Sequence, residues 1–139
     1  MKIFVDANIL VTVLNSEYPL FPSAARILSL NQTKKFRIYT SPICLAIAFY
    51  FAEKKSGTQR AKEKIRILSQ HLEITNANKK AVRLTSENQK INDFEDGLEY
   101  YSAIESGCEM IVTEDTADFY FSEIQVLNCD SVISYLGNR

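Results

Sequence analysis

The sequence is poor in the residues that staple small domains together. It has one histidine, His71, and three cysteines, Cys44, Cys108 and Cys129. The cysteines are odd in number and far apart, and no CxxC pair occurs. This argues against both a disulfide framework and a Cys/His zinc site, and the thiols read as buried or half-buried free groups. No apolar run approaches the ~20 residues needed to span a bilayer. The opening Met-Lys-Ile-Phe-Val-Asp meets a charge too early for a secretory signal, so the reading is a cytoplasmic protein with no membrane partner. Repeats, linkers and low-complexity stretches are also lacking.

What is present is core-forming material. The 139 residues are 46% hydrophobic, spread along the whole chain. That is the size of one ordinary domain, taken as residues 1–139, and it argues against disorder. Net charge is −1, but the charges are segregated. From Lys54 to Lys90 there are ten Lys or Arg against three Glu, whereas from Asn92 to Glu123 there are ten Asp or Glu and no Lys or Arg. The plain explanation of the basic stretch is solvated helix faces. The functional one is a basic rim beside an acidic pocket, which suits an enzyme that holds cations and acts on a polyanion.

Strands alternate with helices. Lys2–Val5 reads as a strand that stops at Asp6, followed by a helix through Leu14 with Asp6 or Asn8 near its cap. Ser23 is placed to cap a helix through Leu30. Arg37–Thr40 is a second strand. Ser41-Pro42 opens a helix to about Lys54, apolar nearly all round and so assigned to the interior. Gln59–Ser69 is a basic amphipathic helix with Ile65 and Leu68 inward. Leu72–Thr75 is a third strand, with Asn76 capping the next helix through Glu87. Asn92 or Asp93 caps a helix whose apolar stripe is Phe94, Leu98, Tyr101 and Ile104. Met110–Thr113 and Ile124–Leu127 are the last strands, and Ser131–Tyr135 is a closing helical turn. This alternation implies an α/β fold: three α/β/α layers around a central parallel sheet, with ligands beyond the carboxyl ends of the strands.

The acids fall where such a sheet places its chemistry. Asp6 follows the first strand, and Asp115 and Asp118 follow the fourth. Asp93 and Asp96 lie three apart in a first helical turn and so face the same way. Carboxylates crowded together repel one another and stay ionised only when cations compensate them. Oxygen donors without histidine or thiolate suit Mg²⁺ or Mn²⁺. Each acid also has a plainer role. Asp93 and Asp96 suit a helix start, and Asp115 and Asp118 suit a solvated or Asx-type turn. Asp6, ending a buried strand, has the weakest such alternative.

Two segments carry a likeness. KIFVDANIL resembles the start of PIN domains, an apolar strand followed by D-T-N-hydrophobic. DFEDGLEYYSAIESGCEMIVTEDTADF resembles their later segment, an acid-rich helix start with D-x-x-hydrophobic-x-x-x-A and then a strand ending T-x-[DN]-x-x-D-F. Order and spacing match over nearly the whole chain, and the likeness is to VapC-type toxins and related short PIN proteins. The resemblance implies a PIN-like fold and a metal-dependent ribonuclease of the kind that serves as the toxin of a toxin–antitoxin pair. Its partners would be RNA and an antitoxin protein, and it would form a homodimer. It makes Asp6, Asp96, Asp115 and Asp118 the catalytic and metal residues, with Mg²⁺ or Mn²⁺ as the ion. Asn8 matches the polar residue that orients the first Asp, and Thr113 the hydroxyl ending the fourth strand.

Two departures stand out. The family's small hydroxyl residue after the first Asp is Ala7 here. The helix that follows the second strand often carries a Glu, and that position is Ile47. No acid occurs from Ser41 to Ala52, and Glu53 lies nearly two turns on. The competing expectation is therefore a PIN-fold module that binds RNA or protein with weak or no catalysis. A receiver-like or phosphatase-like domain built on Asp6 ranks lower, because Asp6-Ala7-Asn8 lacks a second acid two residues on.

Overall fold

Lys2–Val5 (β1) is the middle strand of the protein. The computed structural model describes residues 1–137. Three of the four β1 side chains, Ile3, Phe4 and Val5, are fully buried, as a strand covered on both faces requires. Arg37–Thr40 (β2) pairs with one edge of β1 and Met110–Val112 (β4) with the other. Glu73–Ile74 (β3) and Gln125–Leu127 (β5) complete the order β3-β2-β1-β4-β5, with every pairing parallel. The sheet is thus the expected parallel one. β3 is shorter than the four-residue run read from sequence.

Helices fill the crossovers. Ala7–Leu14 (α1) and Phe21–Ser29 (α2) join β1 to β2, and Pro42–Ser56 (α3) and Thr58–Ser69 (α4) join β2 to β3. α1 packs on α2 and on α3, and α3 packs on α4. Lys79–Glu87 (α5) and Phe94–Glu105 (α6) pair with each other in the crossover to β4. Cys129–Gly137 (α7) packs on α2. The right-handed sense of parallel crossovers puts α1–α4 and α5–α6 on opposite faces, giving the three-layer architecture. No helix of the described residues is long and apolar enough to cross a membrane.

Several local expectations are corrected. α2 starts at Phe21 with Pro22 in its first turn and no side-chain cap, while the Ser23 hydroxyl donates to Asp130 Oδ1 at 3.3 Å. Asn78, not Asn76, caps α5, its Oδ1 accepting from Ala81 N at 3.1 Å. α3 is not interior all round: Cys44, Ala48 and Ala52 face the core, while Tyr50 and Phe51 are exposed. α6 is rotated from its expected setting. Its buried face is Glu99, Tyr100 and Ala103, whereas Phe94 and Ile104 are exposed. In α4, Leu68 is buried and Ile65 packs on the core, as read from sequence.

The basic segment is partly committed to structure. Lys64 Nζ donates to Leu14 O at 3.0 Å and to Ser56 Oγ at 3.1 Å, and Lys55 Nζ donates to Asn15 O. Two lysines thus satisfy the carbonyl end of α1, where positive charge opposes the helix dipole. Arg66 is paired with Glu63. Arg60 and Lys62 are exposed on α4.

Candidate active site

The carboxyl ends of β1 and β4 lie side by side, with Val5 opposite Val112. The residues that leave them, Asp6 and Thr113, therefore meet. Asp6 N donates to Val112 O at 3.0 Å, extending the sheet by one bond before α1 begins. The Asp6 side chain caps α1, its Oδ1 accepting from Ala7 N at 2.6 Å. Its other oxygen, Oδ2, accepts from the Thr113 hydroxyl at 2.8 Å. Both carboxylate oxygens are thus oriented, and the side chain is only 8% exposed.

Asn8 and Thr113 tie the two strand ends together. Asn8 Nδ2 donates to Thr113 Oγ1 at 3.0 Å and to Asp115 Oδ2 at 3.2 Å, and its Oδ1 accepts from Glu114 N at 3.3 Å. The Thr113 hydroxyl also accepts from Asp115 N at 3.1 Å. The loop after β4 is held in this way, with Asp115 and Asp118 exposed at its surface.

α6 supplies the facing wall. Asp93 caps it by accepting from Asp96 N at 3.1 Å, so it has the helix-start role considered for it. Asp96 and Glu99 follow one turn apart on the inner side. All four acids expected from sequence, Asp6, Asp96, Asp115 and Asp118, line one cleft of about 580 Å³. Glu17, Asp93, Glu95, Glu99 and Glu114 line it too, as do Ile47 and Phe51, and no Lys or Arg of the described residues is in its lining. The basic helix α4 does not border the cleft.

Crowding shows in the protonation of these groups. Burial, then the charges of Asp93, Asp6, Asp118 and Glu95, raise Asp96 from 3.8 to about 7. Glu95 is raised by burial and by Asp93 and Asp6. Glu99 is pushed up to about 11, first by burial and then by its hydrogen bond and charge repulsion with Asp6. Being the more deeply buried of that pair, at 1% exposed, Glu99 is the one that carries the proton. The Cys44 thiol donates to Glu99 Oε1 at 2.9 Å, and burial, then Glu99 and Asp6, raise its pKa well above the usual thiol range.

Glu99 and Cys44 were not singled out from sequence. Glu99 sits three residues after Asp96, the same spacing that placed Asp93 and Asp96 on one side, so the signal was available. It was masked by the apolar stripe assigned to the other side of α6.

The sequence model of the PIN domain matches residues 2–117. This chain belongs to the PIN-domain family. A relative, Ribonuclease VapC1 of Aquifex aeolicus (strain VF5), is 32% identical over 141 residues, covering 93% of this chain and 91% of the relative. Among solved structures, VapBC2 from Rickettsia felis, bound to a DNA fragment from its promoter, is similar with a TM-score of 0.73 and 23% identity. That match covers 92% of this chain and 98% of the other. Mycobacterium tuberculosis VapC20, a sarcin-ricin loop cleaving toxin, is similar with a TM-score of 0.65 and 18% identity, over 88% of this chain and 98% of the other. At such identities these structures speak for the PIN fold alone.

The donor set of this PIN cleft fits a hard divalent cation. Ligand atoms of Asp6, Glu99 and Cys44 all lie within 4.8 Å of one another; the carboxyls and the surrounding acids offer oxygen, while the soft Cys44 thiol donates to Glu99 and is no ligand for such an ion. Among the described residues nine acidic side chains and no lysine or arginine line the cleft, a surface that would repel a phosphodiester, so a polyanion requires cations there.

Proposed function

We propose that this PIN domain is a divalent-metal-dependent ribonuclease, with Asp6, Asp96, Asp115 and Asp118 at its metal centre. The observation that carries the reading is the convergence of these acids at the carboxyl edge of β1 and β4, around the twice-oriented carboxylate of Asp6. A bound Mg²⁺ or Mn²⁺ would supply an acidified water and a clamp for the phosphodiester oxygens. The chain's own residues do the positioning. Thr113 and the Ala7 amide hold Asp6, Asn8 holds Asp115, and Asp93 anchors the start of α6 so that Asp96 faces inward. Ala7 removes a hydroxyl, but the Thr113 hydroxyl already serves Asp6 Oδ2.

The toxin role, an antitoxin partner and a homodimer extend the same reading. The toxin role and the antitoxin partner are supported by the VapC name of the relative and by the VapBC complex among the structural neighbours, and the homodimer rests on the family likeness alone. Exposed Tyr50 and Phe51 on α3 and Tyr18 before α2 supply apolar surface for such contacts. The second reading, a binding module with weak or no catalysis, is favoured by Ile47, which lines the cleft where an acid was expected.

Incubation of single-stranded and structured RNA with wild-type protein, in Mg²⁺, in Mn²⁺ and in chelator, separates the two readings. Metal-dependent cleavage that disappears in Asp6→Asn and Asp96→Asn is the expected result. RNA binding without cleavage in either metal would leave the binding module as the function.

A further inference from the structure

α3 and α6 meet at the inner end of the cleft, and their chemistry is exchanged relative to what the family likeness implies. On α3 the expected glutamate position is Ile47, which offers the cleft no ligand. One turn earlier on α3, Cys44 is fully buried with its thiol on Glu99 Oε1. Glu99 comes from the opposite helix, one turn after Asp96, and its ligand oxygen lies within 4.8 Å of those of Asp6 and Cys44. A carboxyl group therefore does stand against α3 beside Asp6, although α3 supplies none before Glu53.

A purely structural role explains this glutamate poorly. Even as a neutral carboxyl hydrogen-bonded to Cys44 and Asp6, Glu99 gives up water that an apolar residue at a helix–helix contact would not have to. Among the described residues Glu99 forms no ion pair with Lys, Arg or His. Its neighbours are a second carboxylate and a thiol, which is the surrounding of a cation ligand. The Cys44 thiol fixes which way the carboxyl turns, as partners of metal ligands commonly do.

We propose that Glu99 supplies the metal centre with the carboxylate that Ile47 withholds, so that this ligand comes from α6 and not from α3. The inference rests on the metal-dependent reading of the cleft and deepens it. The centre keeps an oxygen ligand on the side that the α3 substitution leaves without one, since Ile47 lines the cleft and offers no donor.

Calorimetric titration with Mn²⁺ of wild type, Asp6→Asn, Glu99→Gln and the double variant Ile47→Glu/Glu99→Gln tests the assignment, with thermal melts confirming that each is folded. Glu99→Gln is expected to weaken Mn²⁺ binding by roughly tenfold or more. The double variant, which returns one carboxylate to the cleft from α3, is expected to recover most of that loss, a rescue that a packing role for Glu99 would not produce. Wild-type affinity in Glu99→Gln, with binding lost in Asp6→Asn, overturns the role of Glu99 and leaves the metal centre standing. Equal Mn²⁺ binding by wild type and Asp6→Asn overturns the metal centre itself, and this inference with it. Should Glu99→Gln not fold, anomalous diffraction from wild-type crystals soaked in Mn²⁺ decides: an ion touching both Asp6 and Glu99 supports the assignment, and an ion on Asp6 with Glu99 still on Cys44 refutes it.

Discussion

The inner end of the cleft and its mouth are built from the same residue type under opposite conditions. Inside, Asp6 and Glu99 are almost dry, and each carboxyl is held by neighbours: Ala7 N and Thr113 on Asp6, the Cys44 thiol on Glu99. At the mouth, Asp93, Glu95, Asp115 and Asp118 are exposed, with water to solvate them. A charge interaction of given length is several times stronger in the interior than at the surface. The charge of the inner acids therefore acts at short range and with little screening, and the outer acids add a field that salt screens.

The contrast is broken most severely at Asp6. Asp6→Asn is expected to lower RNA cleavage by more than about a hundredfold, since even partners behind a metal ligand cost about 10–100-fold. Asp118→Asn, at the mouth, is expected to cost less under the same assay. Equal losses would mean that burial does not rank these acids.

Asp96 stands between the two regions, half-buried and raised from 3.8 to about 7. An acid whose pKa is higher in the folded than in the unfolded chain binds more protons when folded. Ionising Asp96 therefore costs stability as pH climbs from about 4 to about 7, and the cost is constant above that window. Metal-free wild type should lose melting temperature across this window relative to Asp96→Asn, and Mn²⁺ should restore it on the alkaline side. A melting-temperature difference that does not change with pH would show that Asp96 is not held in a repelling environment.

A smaller effect is expected at Thr113, which is buried and links the regions through Asp6, Asn8 and Asp115. Thr113→Val keeps the strand and its volume but removes the shared hydroxyl. We expect Mn²⁺ affinity to fall about tenfold, with about 1 kcal/mol lost from stability in denaturant titrations. A stability loss without any change in Mn²⁺ affinity would make Thr113 a fold residue only.

The smallest effect is expected outside the cleft. Arg60→Ala/Lys62→Ala on α4 removes two exposed charges that do not border the acids. If RNA reaches that face, the slope of log affinity against log salt falls by at most about 1.4, at roughly 0.7 per contact to a single strand. An unchanged slope reduces the helix to a solvated face.

Much of this was legible in the residues themselves. Ile3-Phe4-Val5 before Asp6, and Met110-Ile111-Val112 before Thr113, announce buried parallel strands whose ends carry polar groups, and the sheet follows that pattern. The setting of α6 was not legible. Hydrophobic periodicity assumes that the buried face of a helix is the apolar one, which favours Phe94, Leu98, Tyr101 and Ile104. At the carboxyl edge of the sheet the inner face borders a polar cleft, so Glu99 turns inward, while Tyr100 packs on Phe121 with ring centroids 5.2 Å apart. Tyr101 meets α5 instead, its hydroxyl accepting from Asn88 Nδ2 at 2.9 Å. The same error in reverse placed α3 wholly inside, where its aromatics Tyr50 and Phe51 lie at the surface.

By itself the sequence determined the strand and helix order, the parallel sheet and the four aspartates that follow strands or start a helix, because those depend on local pattern and on topology. Only the tertiary structure decided which helix brings a carboxyl to the side of Asp6 next to α3. That depends on how α3 and α6 are rotated about their axes, and rotation is set by contacts between segments more than fifty residues apart, such as the Cys44 thiol on Glu99.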